Sequence, residues 1–218
     1  MQRNWKECLV RRRTVWKTTW LLRLTVVAVS GALGFSTRGI WLPAIGHRLI
    51  HDDAPTTSDA IVIENYDQDY LTFELASRLL RRGYAPRLII PVAVSGDPEV
   101  PNAVYEGFMQ VMTQIARIEE PQTVLVEQTE PITLSVARQV SKTLAEQRVE
   151  SVIVVAPRFR SRRTFEVYRR VLAPLDVQVL VMAAGGTRTG ENWWHTTHGI
   201  QQVFLEFVKL QYYLLFVL

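Results

Sequence analysis

Five short runs of β-branched and aliphatic residues recur along this chain, each followed by a stretch with helical periodicity, and that alternation constrains its fold more than any other feature. The runs are 60–64 (AIVIE), 87–91 (RLIIP), 123–127 (TVLVE), 151–156 (SVIVVA) and 177–182 (VQVLVM). Helical patterns occupy 71–82, 102–116, 133–146, 162–172 and 199–217. The runs are apolar without strict alternation, as in strands covered on both faces, and such strands belong to parallel sheets. The expected fold is therefore α/β, a Rossmann-like three-layer sandwich with a mainly parallel sheet of about five strands. Sheets of this kind bind ligands outside the carboxyl ends of their strands. The residues that close each run are accordingly the candidates for a site.

Ahead of the first run, residues 18–35 read TTWLLRLTVVAVSGALGF, with Arg23 the only charge. This length suits one transmembrane helix, with Trp16, Trp20 and Trp41 placed as interface aromatics and Arg23 able to reach back to the head groups. Residues 1–23 hold seven basic groups against Glu7, a balance of +6. The whole chain is +4, so the remainder carries −2. The basic balance thus belongs to the tail. Next to an apolar span it points to anionic lipid, and no nucleic-acid partner is expected. The positive-inside rule sets residues 1–17 in the cytoplasm, 18–35 as a single-pass signal-anchor, 36–58 as a connector and 59–218 as an extracytoplasmic domain. A signal peptide cleaved near Ala32-Leu33-Gly34, a twin-arginine signal at Arg12-Arg13 and a buried soluble helix are the rival readings. Residues 200–218 are also apolar, but Glu206 and Lys209 near the middle favour a helix packed on the sheet over a second span. Cys8 is the only cysteine, so the domain has no disulfide, cysteine-based metal site or thiol nucleophile.

The strand ends collect charge. The fourth run gives way to Arg158-Phe159-Arg160-Ser161-Arg162-Arg163, where guanidinium and free peptide N–H groups converge on an anion. Arg158, Arg160 and Arg163 are the expected anion-binding residues, with phosphate or pyrophosphate as the ligand class. Glu64, Asp67 and Glu127 are carboxylates at neighbouring strand ends, suited to acid–base work or to a divalent cation beneath a phosphate. The fifth run leads to Gly185-Gly186-Thr187-Arg188 and then to Trp193-Trp194-His195, where His195 joins the candidate catalytic set as an acid or base. The pairs His195/His198 and His47/His51 have helical spacing but no matched third ligand, and no metal is assigned. Walker, GxGxxG and GxSxG motifs do not occur, and the sequence names no cofactor.

Several stretches resemble the YdcF/SanA/ElyC-like family of bacterial envelope proteins, over about residues 59–215. Asp59-Ala60-Ile61-Val62-Ile63 is similar to the family's opening strand. Pro86 through Ile90 resembles its second. Glu127 with Thr133 and Ala137, and Val154-Val155 with Phe159-Arg160 and Arg163, resemble two further family motifs. Trp193, Glu206 and Tyr212-Tyr213 match its last loop and helix. The chain departs from the family where a Gly-rich turn is replaced by Glu64-Asn65-Tyr66-Asp67. A motif His is Arg160 here, and a Glu-Asn pair is Ser135-Val136. The resemblance implies the fold, an N-terminal anchor in a bacterial inner membrane, and a part in cell-wall or surface-polysaccharide metabolism. It also implies a phosphorylated small molecule or lipid-linked sugar as ligand. Hydrolysis and acyl or glycosyl transfer fit equally. The alternatives are a non-catalytic scaffold among envelope-synthesis proteins, or a nucleotide protein binding S-adenosylmethionine, a property of one branch of the family that the lost Gly-rich turn argues against.

Overall fold

A computed structural model describes residues 18–64 and 70–218. The chain divides into two compact units, Met1–Trp41 and Leu42–Leu218.

In the first unit, α1 (Trp20–Ser36) has no buried residue. Its polar groups are satisfied locally: Thr25 Oγ1 donates to Leu21 O, and Arg23 Nε reaches back to Thr18 Oγ1 at 3.0 Å. Trp41 Nε1 donates to Gly34 O at 3.0 Å. The helix begins two residues after the expected start of the apolar span and ends one residue beyond it. No single helix among the described residues is long and apolar enough to cross a membrane. α1 and α2 (Arg38–Arg48) meet that requirement only as a pair broken at Thr37.

The second unit is an α/β domain. Its elements are β1 (Ala60–Ile63), α3 (Tyr70–Arg81), β2 (Leu88–Ser95), β3 (Asp97–Pro101), α4 (Ala103–Ala116) and β4 (Gln122–Val126), followed by α5 (Ile132–Glu146), β5 (Ser151–Pro157), α6 (Ser161–Leu172), β6 (Gln178–Ala184) and α7 (Thr197–Tyr212). Five strands run parallel in the order β4-β2-β1-β5-β6. This is the order of an open Rossmann-type half sheet, with the direction of winding reversing between β1 and β5. Side chains alternate between the faces. Ala60 and Val62 join Val152, Val154 and the helices α5 and α6, while Ile61 and Ile63 join Ile153, Val155 and the helices α3 and α4. The central strands β1, β2 and β5 are covered on both faces and read as apolar runs, while β4 at the edge is largely exposed.

One strand lies outside the sequence expectation. β3 turns back at Gly96 and pairs antiparallel with the end of β2, Val94 opposite Pro101. Its two prolines make it read as a loop, and an edge position is where a strand tolerates proline. A third apolar cluster joins Leu49, Phe159, Trp193, Val203 and Leu210, with Leu42 and Ile45 packed against it. α2 and α7 meet there, so the last helix packs on the body, against α2 and the segments after β5 and β6 where the sheet itself was expected. A Cβ on Gly46 would lie 2.8 Å from Trp193 Cδ1 and from Gly190 O, so only glycine permits this approach.

Candidate functional site

The reversal between β1 and β5 brings Glu64, directly after β1, opposite the short 3₁₀ turn Arg158–Arg160 that leads into α6. Glu64 is only 1% exposed. Thr164 Oγ1 donates to Glu64 Oε2 at 2.8 Å, and Glu64 Oε1 has no hydrogen-bond partner among the described residues. Burial pushes the Glu64 carboxyl above the usual carboxylate range, against the pull of the Arg160 and Arg163 charges and the Thr164 hydroxyl.

Arg160 and Arg163 are both buried. Glu206, pointing in from α7, lies 3.5 Å from Arg160 Nη2 and 2.9 Å from Arg163 Nη2. The Arg163 guanidinium also sits 5.2 Å over the Tyr213 ring, whose hydroxyl accepts from the Thr133 N–H. Among the described residues two guanidinium groups thus share the Glu206 carboxylate, with Glu64 near enough to feel both charges. An anion that these arginines meet among the described residues is a carboxylate of the chain itself, an internal pairing that the strand-end run alone does not announce. It also fixes α7 to the start of α6, as charged groups can be buried only when paired.

Arg158 is placed differently. Its guanidinium packs over Gly185, where any Cβ would overlap it. A cavity of about 180 Å³ opens beside it at the carboxyl ends of β5 and β6, lined by Arg158, Gly185, Gly186, Thr187, Arg188 and Gln202. Neither Arg158 nor Arg188 forms an ion pair with a carboxylate among the described residues, and Arg158 Nε is buried without a hydrogen-bond partner there. Two half-buried cations without a carboxylate among the described residues therefore share one small cavity. Arg188 stands outside the expected anion-binding set, although its signal is present in the Gly-Gly-Thr-Arg that closes the fifth run.

The other expected residues are dispersed. Asp67 lies outside the described residues. Glu127 is exposed at the end of β4, two strands from β1 and so about 10 Å away by strand spacing. Its backbone is engaged by Gln139 and Ser135, and its carboxylate has no hydrogen bond or ion pair among the described residues. His195 is exposed, with its ring edge-on to Trp194 at 5.3 Å, and no hydrogen bond or ion pair among the described residues links it to Glu64 or Glu127. His47 turns to Glu191 and His51 to Asp53, at 2.8 and 3.1 Å. No group of three metal-ligating side chains converges among the described residues. A larger groove of about 1010 Å³ runs along α3 towards Arg117 and Glu119, away from the strand carboxyl ends.

Comparison with known proteins returned no matching family model, no matching curated protein and no matching solved structure.

Proposed function

We propose that this protein is a membrane-anchored envelope protein of the YdcF/SanA/ElyC-like type. Its α/β body binds or processes a phosphorylated metabolite of cell-wall or surface-polysaccharide metabolism, a lipid-linked sugar phosphate in particular. The observation that carries this reading is the cavity at the carboxyl ends of β5 and β6, where Arg158 and Arg188 line one space without a carboxylate partner among the described residues. A phosphate monoester or diester supplies the charge those two groups lack, and guanidinium forks match its oxygens. The position is also the one where open parallel sheets take ligands.

The anchor is the apolar stretch 18–35, most of which α1 forms, with Arg23 reaching back to Thr18 Oγ1. In this reading the tail is cytoplasmic, the membrane is the bacterial inner membrane, and the body lies outside it. Glu64 acts by holding the interior cluster together, and the reaction, where there is one, takes place beside Arg158.

The test is thermal unfolding of the full chain in detergent, with phosphosugars, polyprenyl phosphates, S-adenosylmethionine and divalent cations. A ligand at a hundred times its Kd stabilises the fold by about 2.7 kcal/mol. The expected result is stabilisation by a phosphorylated compound that is lost in the Arg158→Ala/Arg188→Ala double variant. Gly185→Ala is expected to weaken it as well, because the new methyl displaces the Arg158 guanidinium. Absence of stabilisation by every phosphorylated compound contradicts the binding function and favours a non-catalytic scaffold. Stabilisation by S-adenosylmethionine alone would make it a nucleotide-binding protein.

A further inference from the structure

The last helix carries a second feature. Val203, Glu206 and Leu210 of α7 are buried against the body. At 100° per residue, Ile200, Phe204, Leu205, Val208 and Tyr212 fall within an arc of about 140° on the opposite side. All five are exposed, Phe204 at 65%, and the strip continues through Leu215 and Phe216, exposed at 71% and 78%. Thr197 and Gln201, both exposed, lie on the same arc in the first turns and half-buried Gln211 near its edge, so the apolar face is densest from Phe204 to Phe216. Soluble surfaces rarely expose so many apolar residues on one face. Its charges are one-sided. The only acidic residue of the helix, Glu206, points inward to Arg160 and Arg163, while Lys209 stands half-exposed at the edge of the strip.

We infer that this face of α7 lies in the interfacial layer of a lipid bilayer, parallel to its surface. Three observations favour lipid over a second copy of the chain. The strip is mainly apolar and aromatic, with Lys209 at one edge and no outward acid, the pattern of helices that lie at the boundary of head groups and acyl chains. Leu42, the residue at which the chain enters the body, packs into the same cluster as Val203 and Leu210. Trp193 Nε1 donates to the Leu42 carbonyl at 3.0 Å, so the point of entry is fixed on the α7 side of the body. An anchor preceding Leu42 thus joins the body next to α7 in the chain's path. The inference rests on the reading of residues 18–35 as that anchor.

The test uses the full chain with Cys8→Ser, an environment-sensitive fluorophore on Phe204→Cys or Val208→Cys, and a reference label on Lys142→Cys, an exposed position of α5. Each is reconstituted into vesicles of phosphatidylethanolamine and phosphatidylglycerol containing lipids with a nitroxide either near the head group or at the acyl terminus. The expected result is quenching at 204 and 208 several-fold above that at 142, strongest with the shallow nitroxide. Protein that floats with the vesicles but shows equal quenching at all three positions overturns the interfacial face and leaves the anchor standing. Stronger quenching by the deep nitroxide overturns it in favour of a second span. Label shielding without lipid quenching, together with disulfide-linked dimers of the unlabelled Phe204→Cys variant, overturns it in favour of a second copy. Protein that does not float overturns both the anchor and the inference.

Discussion

Replacing Glu206 with Ala strips Arg160 and Arg163 of a shared carboxylate while both stay buried. Removing one partner of a buried ion cluster costs about 3–5 kcal/mol, so Glu206→Ala is expected to unfold at a much lower denaturant midpoint than wild type, with Glu206→Gln in between. Glu64 gives a pH signature. Its carboxyl is raised by burial, and a carboxyl raised in the folded chain stabilises the fold at low pH and loses that contribution as the pH rises through the raised value. Wild type is therefore expected to lose stability relative to Glu64→Gln as the pH climbs out of the ordinary carboxylate range, read from urea midpoints at each pH. The charged residues of this region are legible in the sequence as a strand-end run, but their partners are not. Glu206 lies 43 residues beyond Arg163 in the chain, and only the packing of α7 over the start of α6 makes it their counter-ion. The sequence therefore reads as three equivalent arginines, where the fold makes Arg160 and Arg163 internal and leaves Arg158 beside a cavity.

Among the elements, β1 is pinned at its start as well as along its length. Asp59 Oδ2 accepts from the N–H groups of Glu150 and Ser151 and from the Ser151 hydroxyl, which ties the entrance of β1 to that of β5. The Glu150 N–H above all, then Ser151 and the more distant Arg87 charge, hold the Asp59 carboxyl below the usual range despite its partial desolvation. A lowered carboxyl stabilises the fold above its ordinary value and loses that contribution as the pH falls through the lowered one. The unfolding midpoints of wild type and Asp59→Asn are therefore expected to converge on acidification. The central parallel strands β1, β2 and β5 are legible because burial on both faces leaves mostly apolar residues along them, and the edge strand β4 through its β-branched and aliphatic run Thr123–Val126. β3 is not, since pairing only with the end of β2 asks little of its sequence and lets it keep Pro98 and Pro101. α7 is legible as a helix, and Glu206 as a sign that it packs. Its bare outer face needs the structure, because apolar residues on every side conceal which of them are covered.

For the whole molecule, an apolar N-terminal segment precedes an α/β body that holds a candidate phosphate site, two arginines without carboxylate partners among the described residues at a strand-end cavity. Its most direct test is phosphorus NMR of a short-chain polyprenyl phosphate titrated with the full chain in detergent. The predicted result is saturable broadening and displacement of the phosphate resonance by wild type, lost in Arg158→Ala/Arg188→Ala and retained in Arg117→Ala, a basic residue of the distant α3 groove. A resonance that moves equally with all three proteins, or with none of them, would contradict a phosphate site at the carboxyl ends of β5 and β6.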